Sequence, residues 1–162
     1  MDWFVKAFIK ASVAWLVAGI TLGVAMAVVP TWTVFRPAHL HMNLLGFVAM
    51  MIFGVAYHVI PRFAGVPLYS SRAATLHWYV ANAGLLAMTV GFMARGKGFG
   101  WGALSIAVGG ILVAIGGYTF AFLIWRTIDR AAPKRVGIAP RPVVATAKVI
   151  QMAAERPTAP AG

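Results

Sequence analysis

The chain contains no cysteine. Disulfides, thiolate metal sites, iron–sulfur clusters and haem attached covalently through a C-x-x-C-H motif are thereby excluded together. Acidic residues are nearly absent too. Asp2, Asp129 and Glu155 are the complete set, and none falls inside an apolar run. A membrane pump acting alone usually needs a buried carboxylate, so the sequence argues against one, and against a small transporter or channel. Charged residues of both signs make up 10% of the chain, well under the ~25% of an ordinary soluble domain. Hydrophobic residues make up 61% of the 162 positions, and the mean hydropathy is +0.83. The composition is that of an integral membrane protein with room for one domain.

Four apolar runs are present: Ala11–Val29, Ala38–Ile60, Ala73–Ala94 and Gly102–Trp125. At ~1.5 Å per residue each would cover ~28–36 Å as a helix, which matches a ~30 Å hydrocarbon core. Helix breakers fall between the runs. Pro30 and Pro37 bracket the first junction, Pro61, Gly65 and Pro67 mark the second, and Gly96, Gly98 and Gly100 mark the third. Connections this short force neighbouring helices antiparallel. The predicted fold is all-α, an integral membrane up-down four-helix bundle over residues 1–126. Residues 127–162 lose the apolar period and carry Pro133, Pro140, Pro142, Pro157 and Pro160. They read as a basic, Pro/Ala-rich, disordered cytoplasmic tail, with room for one short surface helix at Val143–Ala154. Lys6 and Lys10 followed by an apolar stretch and Ala25-Met26-Ala27 resemble a secretory signal, but the apolar stretch exceeds the usual ~7–15 residues. A retained first span is expected.

The net charge of +11 does not imply nucleic acid here. The lysines and arginines cluster at the ends of apolar runs, where they meet anionic lipid and set orientation. Eleven lie at the N-terminus, the second junction and the tail; Arg36, Arg95 and Lys97 are on the other side. Both termini are therefore expected in the cytoplasm, with the chain multi-pass in a bacterial inner membrane.

Candidate ligands concentrate in Pro37–Arg62, which carries His39, His41, Asn43, Tyr57 and His58. Polar rings in hydrocarbon are costly unless something takes them up, and the usual histidine ligand inside a membrane helix is haem iron. On an α-helical wheel His39, Asn43, Gly46, Met50 and Tyr57 share one face. His41 falls about 160° away, with Leu45, Val48 and Ile52. His58 lies ~25–29 Å further along and cannot share an iron with either. His77, on the third run, sits near the same membrane surface as His58. Two pairings follow: an outer His39/His41 pair and an inner His58/His77 pair. Each of these histidines also has a plain reading as an interfacial side chain. The many glycines serve close helix packing or leave room for a flat macrocycle. Met42, Met50 and Met51 read as packing residues.

The stretch Arg36-Pro37-Ala38-His39-Leu40-His41-Met42-Asn43-Leu44-Leu45-Gly46-Phe47, with Phe53-Gly54-Val55-Ala56-Tyr57-His58 and Pro61, resembles the second helix of haem–copper oxidase subunit I, in particular the nitric oxide reductase large subunit. Leu76-His77-Trp78-Tyr79 with Asn82 and Gly84 is similar to that family's next helix. The likeness extends over about the first three helices, and is nearest to small four-helix subunit I-like proteins. It implies haem b, with the low-spin ligand role falling on His41 through His41-Met42-Asn43-Leu44-Leu45; the wheel favours His39. The family's second low-spin ligand and its copper and high-spin haem histidines lie on later helices. No copper site is therefore expected, and the chain is not expected to be a complete oxidase or nitric oxide reductase on its own.

The resulting expectation is a b-type haem protein in respiratory electron transfer or in binding of NO or O2. The alternative is a non-haem accessory or assembly subunit of a respiratory oxidase. Because the matched region holds one motif-supported ligand helix, a homodimer or a complex with a larger respiratory subunit is expected. Reporter fusions after Arg135 and within the Gly96–Gly100 junction should report opposite sides of the membrane, the first cytoplasmic. A periplasmic signal from the Arg135 fusion would reverse the assignment of faces.

Overall fold

The computed structural model describes residues Met1–Ala131. The expected surface helix at 143–154 and the tail beyond residue 131 lie outside the described residues. Within them every regular element is helical. Helix α1 is Trp3–Val28, α2 is Pro30–Ala64, α3 is Ser71–Gly96 and α4 is Gly102–Asp129.

The boundaries follow from local chemistry. Pro30 opens α2 in a 3-10 turn, Pro30–Phe35, where its missing N–H is no loss. Gly65 ends α2 at φ 69°, a left-handed position that glycine adopts without a Cβ penalty. The N–H of Val66 then closes on the Pro61 carbonyl at 3.1 Å. Ser70 caps α3, its hydroxyl accepting from the Ala73 N–H at 3.2 Å.

The helices alternate in direction. At one end Trp3 of α1 packs on Trp78 and Tyr79 of α3. At that same end the Tyr69 N–H donates to Thr127 of α4 at 3.0 Å, and Arg126 and Arg130 lie over the Tyr69 ring. At the other end Lys97 lies over Phe35.

The closest packing joins α3 to α4. Gly84 and Gly91 of α3 face Gly109 and Gly102 of α4, each pair one heptad from the next. A Cβ on Gly109 would stand 2.5 Å from the Met88 nitrogen and 2.6 Å from the Gly84 oxygen. Backbone meets backbone along this seam, as small residues permit in membrane helices. Helix α1 runs along α2, with Trp15 seated on Gly46 and Phe8 and Ile9 on Gly54. The first half of α2 leans on α3 and its second half on α4.

Helix α2 is not uniform. Met42–Ala49 winds as a π-helix between α-helical Arg36–His41 and Met50–Ala64. Its buried stripe is Ala38, Met42, Gly46, Met50 and Gly54, then Tyr57. The stripe advances by four residues per turn because i→i+5 turns are wider than the 3.6-residue α turn. The wheel face expected from the sequence is corrected accordingly. Gly46, Met50 and Tyr57 lie on it, whereas His39 and Asn43 sit half-buried on its flank.

Three helices, α1, α2 and α4, are long and apolar enough to cross a membrane. Their outward faces are apolar, as in Leu104, Val108, Ile111, Ile115, Tyr118 and Phe122 of α4, spaced by three and four. The four similar runs expected from the sequence thus become three plus α3. Helix α3 has the length, at 26 residues, but carries Arg72, Thr75, His77, Asn82 and Thr89. It is the most enclosed helix, with His77, Leu85 and Thr89 among its buried residues.

Gly109→Ala should lower stability by about 1–3 kcal/mol, because α3 and α4 must part to admit a Cβ. Gly117→Ala should be neutral or slightly stabilising, since a Cβ there meets nothing within 4 Å and alanine favours helix. Unfolding titrations in mixed micelles compare the two; equal stabilities would remove the seam from its structural role.

Candidate functional site

The enclosed polar centre is His77, in the second turn of α3 and 1% exposed. It stands one heptad before Gly84, in register with the glycine seam, and faces Gly116 of α4. A Cβ on Gly116 would lie 3.1 Å from the His77 Cδ2 and 3.3 Å from its Nε2. The histidine thus occupies the next rung of the ladder, and Gly116 makes room for its ring. Phe8 of α1 and Phe53 of α2 pack on that ring at 4.9 and 4.8 Å between centroids. Phe120 of α4 closes the cage at 6.3 Å.

One polar group enters the cage. The Tyr57 hydroxyl lies 2.9 Å from the His77 Nδ1, and Tyr57 is itself buried. Two arrangements satisfy this bond. Either the hydroxyl donates to Nδ1 and Nε2 carries the proton, or Nδ1–H donates to the tyrosine oxygen and Nε2 keeps its lone pair. In both, Nε2 has no hydrogen-bond partner. Tyr57 also lines a surface hollow of about 460 Å³ with Asp2, Arg62 and Ser71, so it stands between that hollow and the buried ring.

The other histidines go elsewhere. His58 pairs its Nδ1 with the Arg62 guanidinium at 2.8 Å. It turns to its own helix rather than to His77, and the inner partner of His77 is Tyr57, the residue preceding His58. His39 packs on α1: its Nδ1 lies 2.9 Å from the Gly19 carbonyl, and a Cβ on Gly23 would come 2.9 Å from its Cε1. Asn43 braces it, donating to the His39 carbonyl at 2.8 Å. His41 points to α3, its ring 4.7 Å from that of Phe92. Its Nδ1 lies 2.8 Å from the Pro37 carbonyl. His39 and His41 therefore address different helices, as their separation on the wheel implies. Asn82 accepts from the Trp15 indole at 3.2 Å.

These contacts test the fit of a haem. Carbonyls accept only from Nδ1–H, so the neutral rings of His39 and His41 each keep the Nε2 lone pair, the tautomer of a ligating histidine with a backbone partner. His39 is wedged into the notch at Gly23. His41 is half-buried at the edge of the helices, with a flat aromatic neighbour. His77 has an orphaned Nε2 but abuts Gly116 and three phenylalanine rings, with no space for a macrocycle. Of the four, His41 fits an axial-ligand role best. Among the described residues no three histidine or acidic side chains gather in a metal-binding group.

Sequence reasoning placed Tyr57 on a polar face but missed it as the partner of His77. The heptad spacings His77–Gly84–Gly91 and Gly102–Gly109–Gly116 signal the place of His77 in the seam, but nothing in them points to Tyr57.

Tyr57→Phe should cost about 1–2 kcal/mol, since it leaves both ring nitrogens of His77 unpartnered. Adding His77→Phe should restore most of that loss, because an apolar pair leaves nothing unsatisfied. A double-mutant cycle measured by unfolding decides it; simple additivity of two losses would dissolve the pair. No protein-family model matches this chain, and no curated protein matches it.

Proposed function

We propose that this chain is a four-helix bundle of a bacterial inner membrane that binds haem b, related to haem–copper oxidase subunit I, and serves respiratory electron transfer or the binding of NO or O2. The membrane reading is supported by three apolar helices and by outward faces that only hydrocarbon would solvate well. The observation that carries the haem reading is His41: it lies within a subunit I-like motif and has Nδ1 engaged, Nε2 free and a half-buried position at the bundle edge. In this role the Pro37 carbonyl fixes the tautomer and aim of the ring, and Phe92 supports its face. His39 braces α1 against α2 and is the secondary candidate. His58 and His77 rank behind, engaged by Arg62 and Tyr57. When bound, haem supplies one-electron redox chemistry or, with one axial position open, a site for a diatomic gas.

A ligand at the edge of one bundle leaves the opposite face to another chain. The same reading therefore includes a homodimer, or docking on a larger respiratory subunit. The accessory-subunit reading is favoured by one observation: the buried histidine is used for packing, in a closed aromatic cage.

The purified protein should show a b-type band after dithionite reduction. His41→Ala should remove most of the haem, and His39→Ala should remove less. A colourless protein, even after haem supplementation, favours the accessory subunit. Loss of haem only in His58→Ala or His77→Ala would move the site to the other end of the bundle.

A further inference from the structure

Between α2, α3 and α4 lies a cavity of about 140 Å³ that opens partly to the outer surface of the bundle, its inner wall formed by the buried Met50, Ala81 and Leu85. Helix α2 contributes Leu45, Ala49, Met50 and Phe53, of which Leu45 and Ala49 belong to the π-helical segment. Ala81 and Leu85 of α3 form its floor, and both are buried. Val113 and Gly117 of α4 complete it. Every lining side chain is apolar. Phe53, whose ring also packs on His77, joins the cavity wall to the histidine cage.

Two features leave the space open. The wide π turn sets Leu45 and Ala49 apart from the α-helical spacing, and such turns recur at functional sites. Gly117 adds no side chain where a Cβ would meet nothing within 4 Å. Its neighbour Gly116, by contrast, is filled by the His77 ring. Enclosed apolar cavities of ~150 Å³ take up xenon or benzene, and the three buried wall residues here offer the same apolar contact from one side. An occupant that fills such a space gains apolar contact with its walls and stabilises the fold by mass action.

We propose that this cavity binds one small apolar molecule, in the size range from a diatomic gas to a xenon atom, between the π-helical turn of α2 and Gly117 of α4. The ligand class follows from the walls: no lining side chain offers a hydrogen bond or a charge, so size and lack of polarity are the selection. The site stands apart from the haem reading, being built of different residues.

Xenon is the probe. Methyl-labelled full-length protein in nanodiscs is titrated with xenon and followed by NMR. The methyls of Met50, Leu85 and Val113 should show saturable shifts. The lipid-facing methyls of Val108 and Ile115 should show only the linear response of partition into hydrocarbon. Gly117→Leu should abolish the saturable shifts and leave the linear ones. Ala49→Leu, from the opposite wall, serves as a second filled variant should Gly117→Leu fail to fold. A linear, unsaturable response at Met50 and Leu85 would overturn the site, as would saturable shifts that persist in a folded filled variant. Haem content does not enter the readout, so this result is separable from the fate of the His41 reading.

Discussion

At the two glycine rungs where α3 meets α4 there is no room for a side chain on either glycine. Gly84 lies on Gly109 and Gly91 on Gly102, so near that any Cβ would collide with backbone atoms of the other helix. Shape complementarity over this seam, repeated each heptad, fixes the register of the two helices. The rest of the arrangement builds upon it. Helix α2 crosses from α3 to α4 along its length, and α1 packs onto α2 through Trp15, Phe8 and Ile9 against glycines. Glycine is a poor helix former, so these contacts are gained at the expense of local propensity and hold only while the helices stay together.

The register also explains the polar centre. His77 falls where the heptad would place another small residue of α3, and Gly116 of α4 yields the volume its ring needs. Burying an imidazole beside three phenylalanines is unfavourable unless a polar group follows it in. Tyr57 does so, from the α-helical part of α2 that follows the π segment. One side chain thus depends on a hydroxyl from one helix and on a glycine in another.

Much of this was legible in the sequence. Four helices, their alternation and their junctions follow from apolar runs and from Pro30, Gly65 and Gly98, whose chemistry is local. Helix α3 departed from its neighbours because Arg72, His77, Asn82 and Thr89 lower its apolarity, while packing rather than hydropathy holds it in place. The α2 face was misjudged because a 3.6-residue wheel cannot register a π turn, which depends on tertiary contact. The pairing of histidines failed for a related reason. Position along a helix indicates which side chains reach the same depth, but not that Arg62 lies one turn from His58 and captures it. His39 and His41 were correctly set apart, since their angular separation arises before the π segment begins.

The glycine seam bears on how such a chain is assembled. If α3 crosses a membrane, it carries polar groups that hydrocarbon solvates poorly, and its glycines leave backbone uncovered until α4 lies against them. Its release into lipid ahead of α4 would be uphill. The five residues between Gly96 and Gly102 permit α4 to fold back at once, so the two helices suit insertion as a single hairpin.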